Sequence, residues 1–138
     1  VLSNAGDPYI TEIIKEGAIA TTWAHDHHNL MVMGRNISDM TIAANEVINS
    51  RGGYVVSKNN EVIAKLELPI GGIISDEPIE IIGEKLGEVR SAMRDLGYNH
   101  MNEIMSFSTL SLPVSPALKI TDKGLIDVKK GSFFSLFK

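Results

Sequence analysis

Three of the chain's four histidines lie within residues 24–29, which read AHDHHN. If this stretch is extended, His25 and His27 point to one face of the strand, and Asp26 and His28 point to the other. Two imidazoles at this spacing can bind one divalent ion, because zinc accepts nitrogen donors at about 2.0–2.1 Å. The first hypothesis is therefore a self-contained metal site that uses His25, His27 and His28.

A closed metal site needs about four ligands, so the cluster would need help from Asp26, Asp76, Glu77 or His100. In a second interpretation the cluster does acid–base chemistry or contacts a ligand, with Asp26 orienting a neighbouring imidazole. In a third, it is a turn in which the imidazoles and Asn29 satisfy backbone groups at a strand end. Spacing alone leaves all three open.

The segment SDEP, residues 75–78, is the second candidate. Ser75 or Asp76 can cap a helix that has Pro78 in its first turn, and acids such as Glu77 suit the positive end of a helix dipole. The same carboxylates could also form part of a site. The glycines just upstream, in PIGG, lack the strand–GxGxxG–helix context of a dinucleotide loop.

The order of the predicted elements favours an α+β fold, with a mixed or mainly antiparallel sheet and two or three packed helices. Apolar periodicity and turn residues predict strands and helices but no regular βαβ alternation. In the first half of the chain we expect a short helix at 7–17, strands at 18–23 and 29–34, and a helix opening at Ser38–Asp39. A hairpin at 53–68 around Asn59–Asn60 and a long helix with an apolar stripe from Ile79 to Leu96 follow. The segment at 101–116 is ambiguous between helix and strand, and the last predicted element is a hairpin at 117–128.

Composition narrows the function classes. The 138 residues suggest one domain spanning residues 1–138, since about 100–150 residues is the commonest domain size. A net charge of −4 with scattered lysines and arginines argues against a nucleic-acid partner or an anionic membrane surface. The absence of cysteine excludes disulfides and fits a cytoplasmic protein. The start at Val1 fits either a processed or trimmed start or a piece of a longer polypeptide, and a solitary domain would rarely leave the apolar tail exposed.

Three blocks of sequence carry a family resemblance. They are GAIATTWAHDHHNLMVMG at 17–34, GGYVV at 52–56 with LPIGGIISDEP at 68–78, and MSFSTLSLPVSPALKITDKGLIDV at 105–128. In this order and at compatible spacing, the blocks resemble the C-terminal domain of adenine deaminases, which are amidohydrolases. Upstream of Gly17 the chain departs from the glycine-rich segment typical of that family.

The resemblance implies a hydrolase of purine salvage that converts adenine and water to hypoxanthine and ammonia. The catalytic divalent metals (Mn, Fe or Zn) would lie in a barrel that these 138 residues do not contain. No metal is then expected in this chain, and the chain alone is expected to be inactive. The implied partners are the rest of the amidohydrolase chain, a purine substrate and further copies in a homo-oligomer.

The resemblance also bears on individual residues. His25, Asp26, His28 and Asn29 match one family block, and Ser75, Asp76 and Glu77 match another, so these seven residues are expected to face the active site. The family has serine at the position of His27, which makes His27 a variable position. A free-standing metal- or ligand-binding module that uses His25, His27 and His28 is the alternative.

Overall fold

A four-stranded antiparallel sheet forms the centre of the fold. The computed structural model describes residues 14–24, 28–112, 118–121 and 123–134. The strands are β1 (Ala18–Thr21), β2 (Met31–Gly34), β3 (Gly53–Lys58) and β4 (Glu61–Glu67). Their order is β2-β1-β3-β4, and every neighbouring pair is antiparallel.

Helix α1 (Ile37–Asn49) covers one face of this sheet. Successive side chains of a strand point to opposite faces, so Ala18 and Ala20 of β1 pack on this side. They share a buried cluster with Ala43 and Val47 of α1. Because the opposite face is also covered, all four residues of β1 are buried, which explains the continuous apolar run in the sequence.

Helices α2 (Ile79–Asp95) and α3 (Glu103–Thr109) pack on the other face. Ile19 and Tyr54 from the sheet meet Val89 and Met93 of α2 and Phe107 of α3 in a second buried cluster. Each of these five side chains is fully buried. Fully burying such a side chain contributes about 1.5–3 kcal/mol, so α2 and α3 stabilise the side of the sheet on which they lie.

The long apolar stripe correctly predicts the extent of α2, but the predicted cap is wrong. Pro78 occupies the N-cap position, and no side chain in the described part of the chain caps the helix. Ser75 lies too far upstream, and its hydroxyl instead accepts the N–H of Glu77 at 3.3 Å. Burial along the stripe is also uneven, since Leu96 is fully buried whereas Ile79 is 75% exposed.

Helix α1 begins one residue before the predicted start. Asn36 caps it by accepting the N–H of Asp39 at 2.7 Å. Asp39 is buried and accepts the N–H of Asn60 at 2.8 Å. The predicted hairpin at Asn59–Asn60 is confirmed, because both residues adopt positive φ, as a tight β-turn requires. These contacts join α1 to the turn between β3 and β4.

The remaining predictions have mixed outcomes. The segment around 103–109, left ambiguous, is helical and capped by Asn102. The C-terminal hairpin is confirmed as β5 (Leu118–Thr121) and β6 (Gly124–Asp127), and β7 (Ser132–Phe134) adds an unpredicted third strand. The first predicted helix lies mostly outside the described residues, and the part at 14–17 is not helical.

The α+β class is confirmed, with an antiparallel main sheet, three helices and a small three-stranded sheet among the described residues. Within that part of the chain, the structure contains no helix that combines the length and apolarity needed to cross a lipid bilayer. The assignment of residues 1–138 to one domain stays a prediction.

Candidate functional site: a cleft beside Trp23

The segment that leads into the histidine block meets the SDEP segment at Trp23. Strand β1 ends at Thr21, and Thr22, Trp23 and Ala24 lead directly into the histidine cluster. Trp23 lines an open cleft together with Ser75 and Glu77 of the SDEP segment. The end of β1 and the loop before α2, about 50 residues apart in sequence, therefore border one surface feature.

The cleft has a volume of about 260 Å³ and is predominantly apolar. Its walls come from the end of β4, the loop after it and the first half of α2. Its lining residues are Trp23, Leu66, Leu68, Ile73, Ile74, Ser75, Glu77, Ile79, Ile82 and Leu86. An apolar cleft with few polar groups is typical of a site that binds a small ligand or a partner surface.

Two further acids lie beside the cleft. Asp76 is exposed and is not among the lining residues, and Glu80 lies in the first turn of α2. Together with Glu77 they give this end of the cleft negative charge, at the N-terminus of a helix where the dipole favours it. The arrangement suits a ligand that presents N–H donors rather than an anion.

Trp23 packs against a pair of buried aromatic side chains. Its ring meets Tyr54 edge-on at a centroid distance of 6.1 Å, and Tyr54 contacts Phe107 at 6.1 Å. Aromatic pairs in this geometry contribute about 0.5–1.5 kcal/mol beyond their buried area. The wall of the cleft is therefore anchored in the core on α3.

A buried hydrogen-bond network fixes the backbone at the same place. The Ser108 hydroxyl donates to the carbonyl oxygen of Trp23 at 2.6 Å and lies 3.1 Å from the Tyr54 hydroxyl. The Tyr54 hydroxyl also donates to the carbonyl of Ile104 at 3.1 Å. Burial raises the pKa of Tyr54 well above its ordinary value, so the phenol stays protonated and acts structurally.

The sequence analysis did not identify Trp23, Tyr54 or Ser108 as candidate site residues. Trp23 is only half-buried and is shared between the core and the cleft. Ser108 matches no nucleophile pattern in the sequence. Its partner Trp23 is 85 residues away, and no local signal in the sequence could have revealed that contact.

The histidine block is only partly within the described residues. His28 and Asn29 are exposed, and His28 has a positive φ of 52°, a conformation in which histidine is enriched among non-glycine residues. The N–H of His28 donates to the carbonyl of Ala24 at 2.7 Å and brings the two flanks of the block together. His25, Asp26 and His27 lie outside the described residues, so their predicted roles stay predictions.

The described ranges contain no group of three or more His, Asp or Glu side chains arranged to hold a metal ion. His100, one of the suggested completing ligands, accepts the N–H of Asn102 through Nδ1 at 3.0 Å in the turn before α3. Asp76 and Glu77 belong to no such group among the described residues. Because His25 and His27 lie outside the described residues, a metal site of His25, His27 and His28 stays a prediction.

The buried carboxylate of Glu103 lies between α2 and α3, away from the cleft lining. The Glu103 carboxylate, with 3% of its side chain exposed, accepts from Arg90 at 2.9 Å and lies 3.0 Å from Arg94. Burial alone would raise the pKa of Glu103, but its backbone hydrogen bond and the two guanidinium groups outweigh burial and lower the pKa. This cluster joins the two helices and is structural.

Comparison with known proteins gives a consistent result over most of the chain. The family described as "Adenine deaminase C-terminal domain" matches residues 11–132. An adenine deaminase of Clostridium perfringens is 98% identical over 127 residues, which is 92% of this chain but 22% of the relative. Adenine deaminase 2 of Oenococcus oeni is 64% identical over 85% of this chain and 21% of its own length. The chain thus spans about a fifth of the length of the curated relatives that it matches.

Proposed function

Because the chain belongs to the adenine deaminase C-terminal domain family, we propose that it completes a longer hydrolase that converts adenine and water to hypoxanthine and ammonia. The single observation that carries the proposal is the convergence at Trp23. Two separate blocks that resemble the family contribute to the same apolar cleft, since the block at 17–34 supplies Trp23 and the block at 68–78 supplies Ser75 and Glu77. In the proposal this side of the domain covers the purine site of the remaining polypeptide.

The chemistry of the cleft is suited to a purine. Adenine has a flat aromatic ring, whose faces can pack against apolar side chains, and N–H donors along its edge. Trp23 and Ile73 supply apolar walls, and Glu77 supplies a carboxylate that accepts hydrogen bonds. We assign His25, Asp26, His28, Asn29, Ser75, Asp76 and Glu77 to the side of the domain that faces the active site. Their tasks are to orient the base and to exclude water.

The rim of the cleft has the character of an interface. Ile70, Ile74 and Ile79 are each about half exposed or more, at 49%, 54% and 75%. A cluster of exposed isoleucines costs free energy in water, at about 25 cal/mol per Å² of apolar surface, and such patches mark interaction sites. We propose that the rest of the polypeptide packs on these side chains.

The divalent metal that adenine deaminase chemistry requires belongs, in this proposal, to the remaining polypeptide. The described residues form no ligand group for it, so no step at the metal is assigned to this chain. Purine salvage, a cytoplasmic location and a homo-oligomeric enzyme are further parts of the proposal.

Activity assays on two preparations test the proposal. The full-length enzyme is expected to release ammonia from adenine, whereas the purified 138-residue chain, assayed with added Mn²⁺, Fe²⁺ or Zn²⁺, is expected to release none. Turnover by the chain alone would contradict the proposal. In the full-length enzyme, Asp26→Asn is expected to lower kcat/KM without changing folding. Unchanged kinetics would indicate that the domain has a purely structural role.

The alternative, a free-standing module that binds a metal through His25, His27 and His28, makes a different prediction. It requires stoichiometric metal in the purified chain and loss of that metal in His27→Ser. Metal analysis of both proteins separates the two functions, since our proposal expects equal and substoichiometric metal in both.

A further inference from the structure

We propose that Thr22 is a positioning residue that fixes the loop bearing Ser75 and Glu77 against the end of β1, so that the cleft keeps one shape. The inference rests on the proposed function, because it assigns Thr22 a kinetic effect on the same site. Thr22 does not line the cleft. It lies immediately before Trp23, which does.

The hydroxyl of Thr22 joins two segments that are distant in sequence. It donates to the carbonyl oxygen of Gly72 at 2.8 Å and accepts the N–H of Gly53 at 2.9 Å. The backbone N–H of Thr22 also donates to the carbonyl of Gly53 at 3.0 Å. One side chain thus links the end of β1, the start of β3 and the loop after β4.

The loop that Thr22 holds leads directly to the cleft. Ile70 and Ile74 exchange backbone hydrogen bonds at 3.0 and 3.1 Å and close a tight turn around Gly72. Ser75 follows this turn at once, and Glu77 lies two residues further on. A shift of Gly72 away from Thr22 would therefore move both polar residues of the cleft relative to Trp23.

The glycines around Thr22 show how closely the segments approach. A Cβ on Gly52 would lie 2.4 Å from the Cα of Gly72 and 2.9 Å from the Thr22 hydroxyl. A Cβ on Gly72, which has a φ of +78°, would lie 3.1 Å from Thr22. Gly52 and Gly72 therefore allow two backbone segments to approach each other beside Thr22.

The substitution Thr22→Val keeps the shape of the side chain and removes the hydroxyl. It leaves the N–H of Gly53 and the carbonyl of Gly72 without this partner. Thr22→Ser retains the hydroxyl and serves as the rescue variant. Thr41→Val is the matched control, because Thr41 is exposed on α1 and bonds only within its own helix in the described contacts.

The experiment measures adenine deamination and amide hydrogen exchange in the full-length enzyme. For Thr22→Val we expect faster exchange in residues 69–75 and a roughly tenfold fall in kcat/KM, because small displacements of positioning groups are costly. Thr22→Ser is expected to restore both properties to near wild type, and Thr41→Val to change neither.

Unchanged exchange in Thr22→Val would overturn the inference, and so would faster exchange with unchanged kinetics. A loss of activity that Thr22→Ser fails to rescue would overturn it as well. Glu77→Gln in an enzyme with wild-type Thr22 tests the proposed function separately. If the proposed function is wrong, this variant leaves kcat/KM unchanged.

Discussion

The Ser108 hydroxyl donates a 2.6 Å hydrogen bond to the backbone carbonyl of Trp23, although 85 residues separate them in sequence. This contact ties the short helix α3 to the segment that leads into the histidine block. Together with the Tyr54 hydroxyl, 3.1 Å from Ser108, it gives the cleft a rigid rear wall.

Loss of the Ser108 hydroxyl should therefore destabilise the domain. In Ser108→Ala the carbonyl of Trp23 loses its partner in a part-buried setting, and such a loss typically costs about 1–3 kcal/mol. The free energy of unfolding from urea titration of the purified chain measures the effect. Thr109→Val is the control, because that hydroxyl is exposed and, among the described contacts, bonds only to carbonyls of α3. An equal effect in both variants would contradict the role of Ser108.

The Glu103 cluster predicts a pH dependence of stability. The pKa of Glu103 is lowered in the folded chain from its ordinary value of 4.5. Its contribution is therefore fully present above the unfolded pKa and is lost as the pH falls through the folded pKa. We expect the free energy of unfolding to decline below about pH 5, and to decline less steeply in Glu103→Gln. Parallel curves for the two proteins would contradict this assignment.

Two isoleucines, each the first residue of a helix, test whether the rest of the polypeptide packs on the rim of the cleft. Ile79 begins α2 at the rim of the cleft and Ile37 begins α1, and they are 75% and 74% exposed. In the isolated chain, Asp at either position should change stability by no more than about 0.5 kcal/mol. In the full-length enzyme, Ile79→Asp is expected to lower thermal stability and activity, whereas Ile37→Asp is not. Equal behaviour of the two variants would place the interface elsewhere.

Helix α2 contains glycines that no packing contact requires. A Cβ on Gly83 would meet no heavy atom within 4 Å. Gly83→Ala should therefore stabilise the isolated chain by about 0.5–1 kcal/mol, chiefly by restricting the unfolded state. Gly72→Ala, where φ is +78° and Thr22 lies 3.1 Å away, should destabilise it. Thermal unfolding of both variants checks the opposite signs.

Local features of the fold could be predicted from the sequence. The turn at Asn59–Asn60 follows from two residues that tolerate positive φ, and the length of α2 follows from an apolar stripe of helical period. Helix α3 stayed ambiguous because seven residues are too few to establish a period. Periodicity identified the apolar face of α2 but could not show that Ile79, in the first turn, is exposed to solvent.

The candidate site was predicted only in part. Sequence blocks identified Ser75 and Glu77, but the cleft that joins them to Trp23 depends on contacts between distant segments. The bond from Thr22 to Gly72 spans 50 residues and the bond from Ser108 to Trp23 spans 85, and neither leaves a local pattern. The roles of His25, Asp26 and His27 stay predictions.

The central claim, that this cleft faces the purine site of an adenine deaminase, is tested most directly by Glu77→Gln in the full-length enzyme. A hydrogen bond to a charged group contributes about 1.5–3 kcal/mol, so we expect kcat/KM for adenine to fall roughly tenfold to a hundredfold. Glu61→Gln, an equally conservative change at an exposed carboxylate that does not line the cleft, should leave kcat/KM unchanged. Wild-type kcat/KM in a folded Glu77→Gln enzyme would contradict the claim.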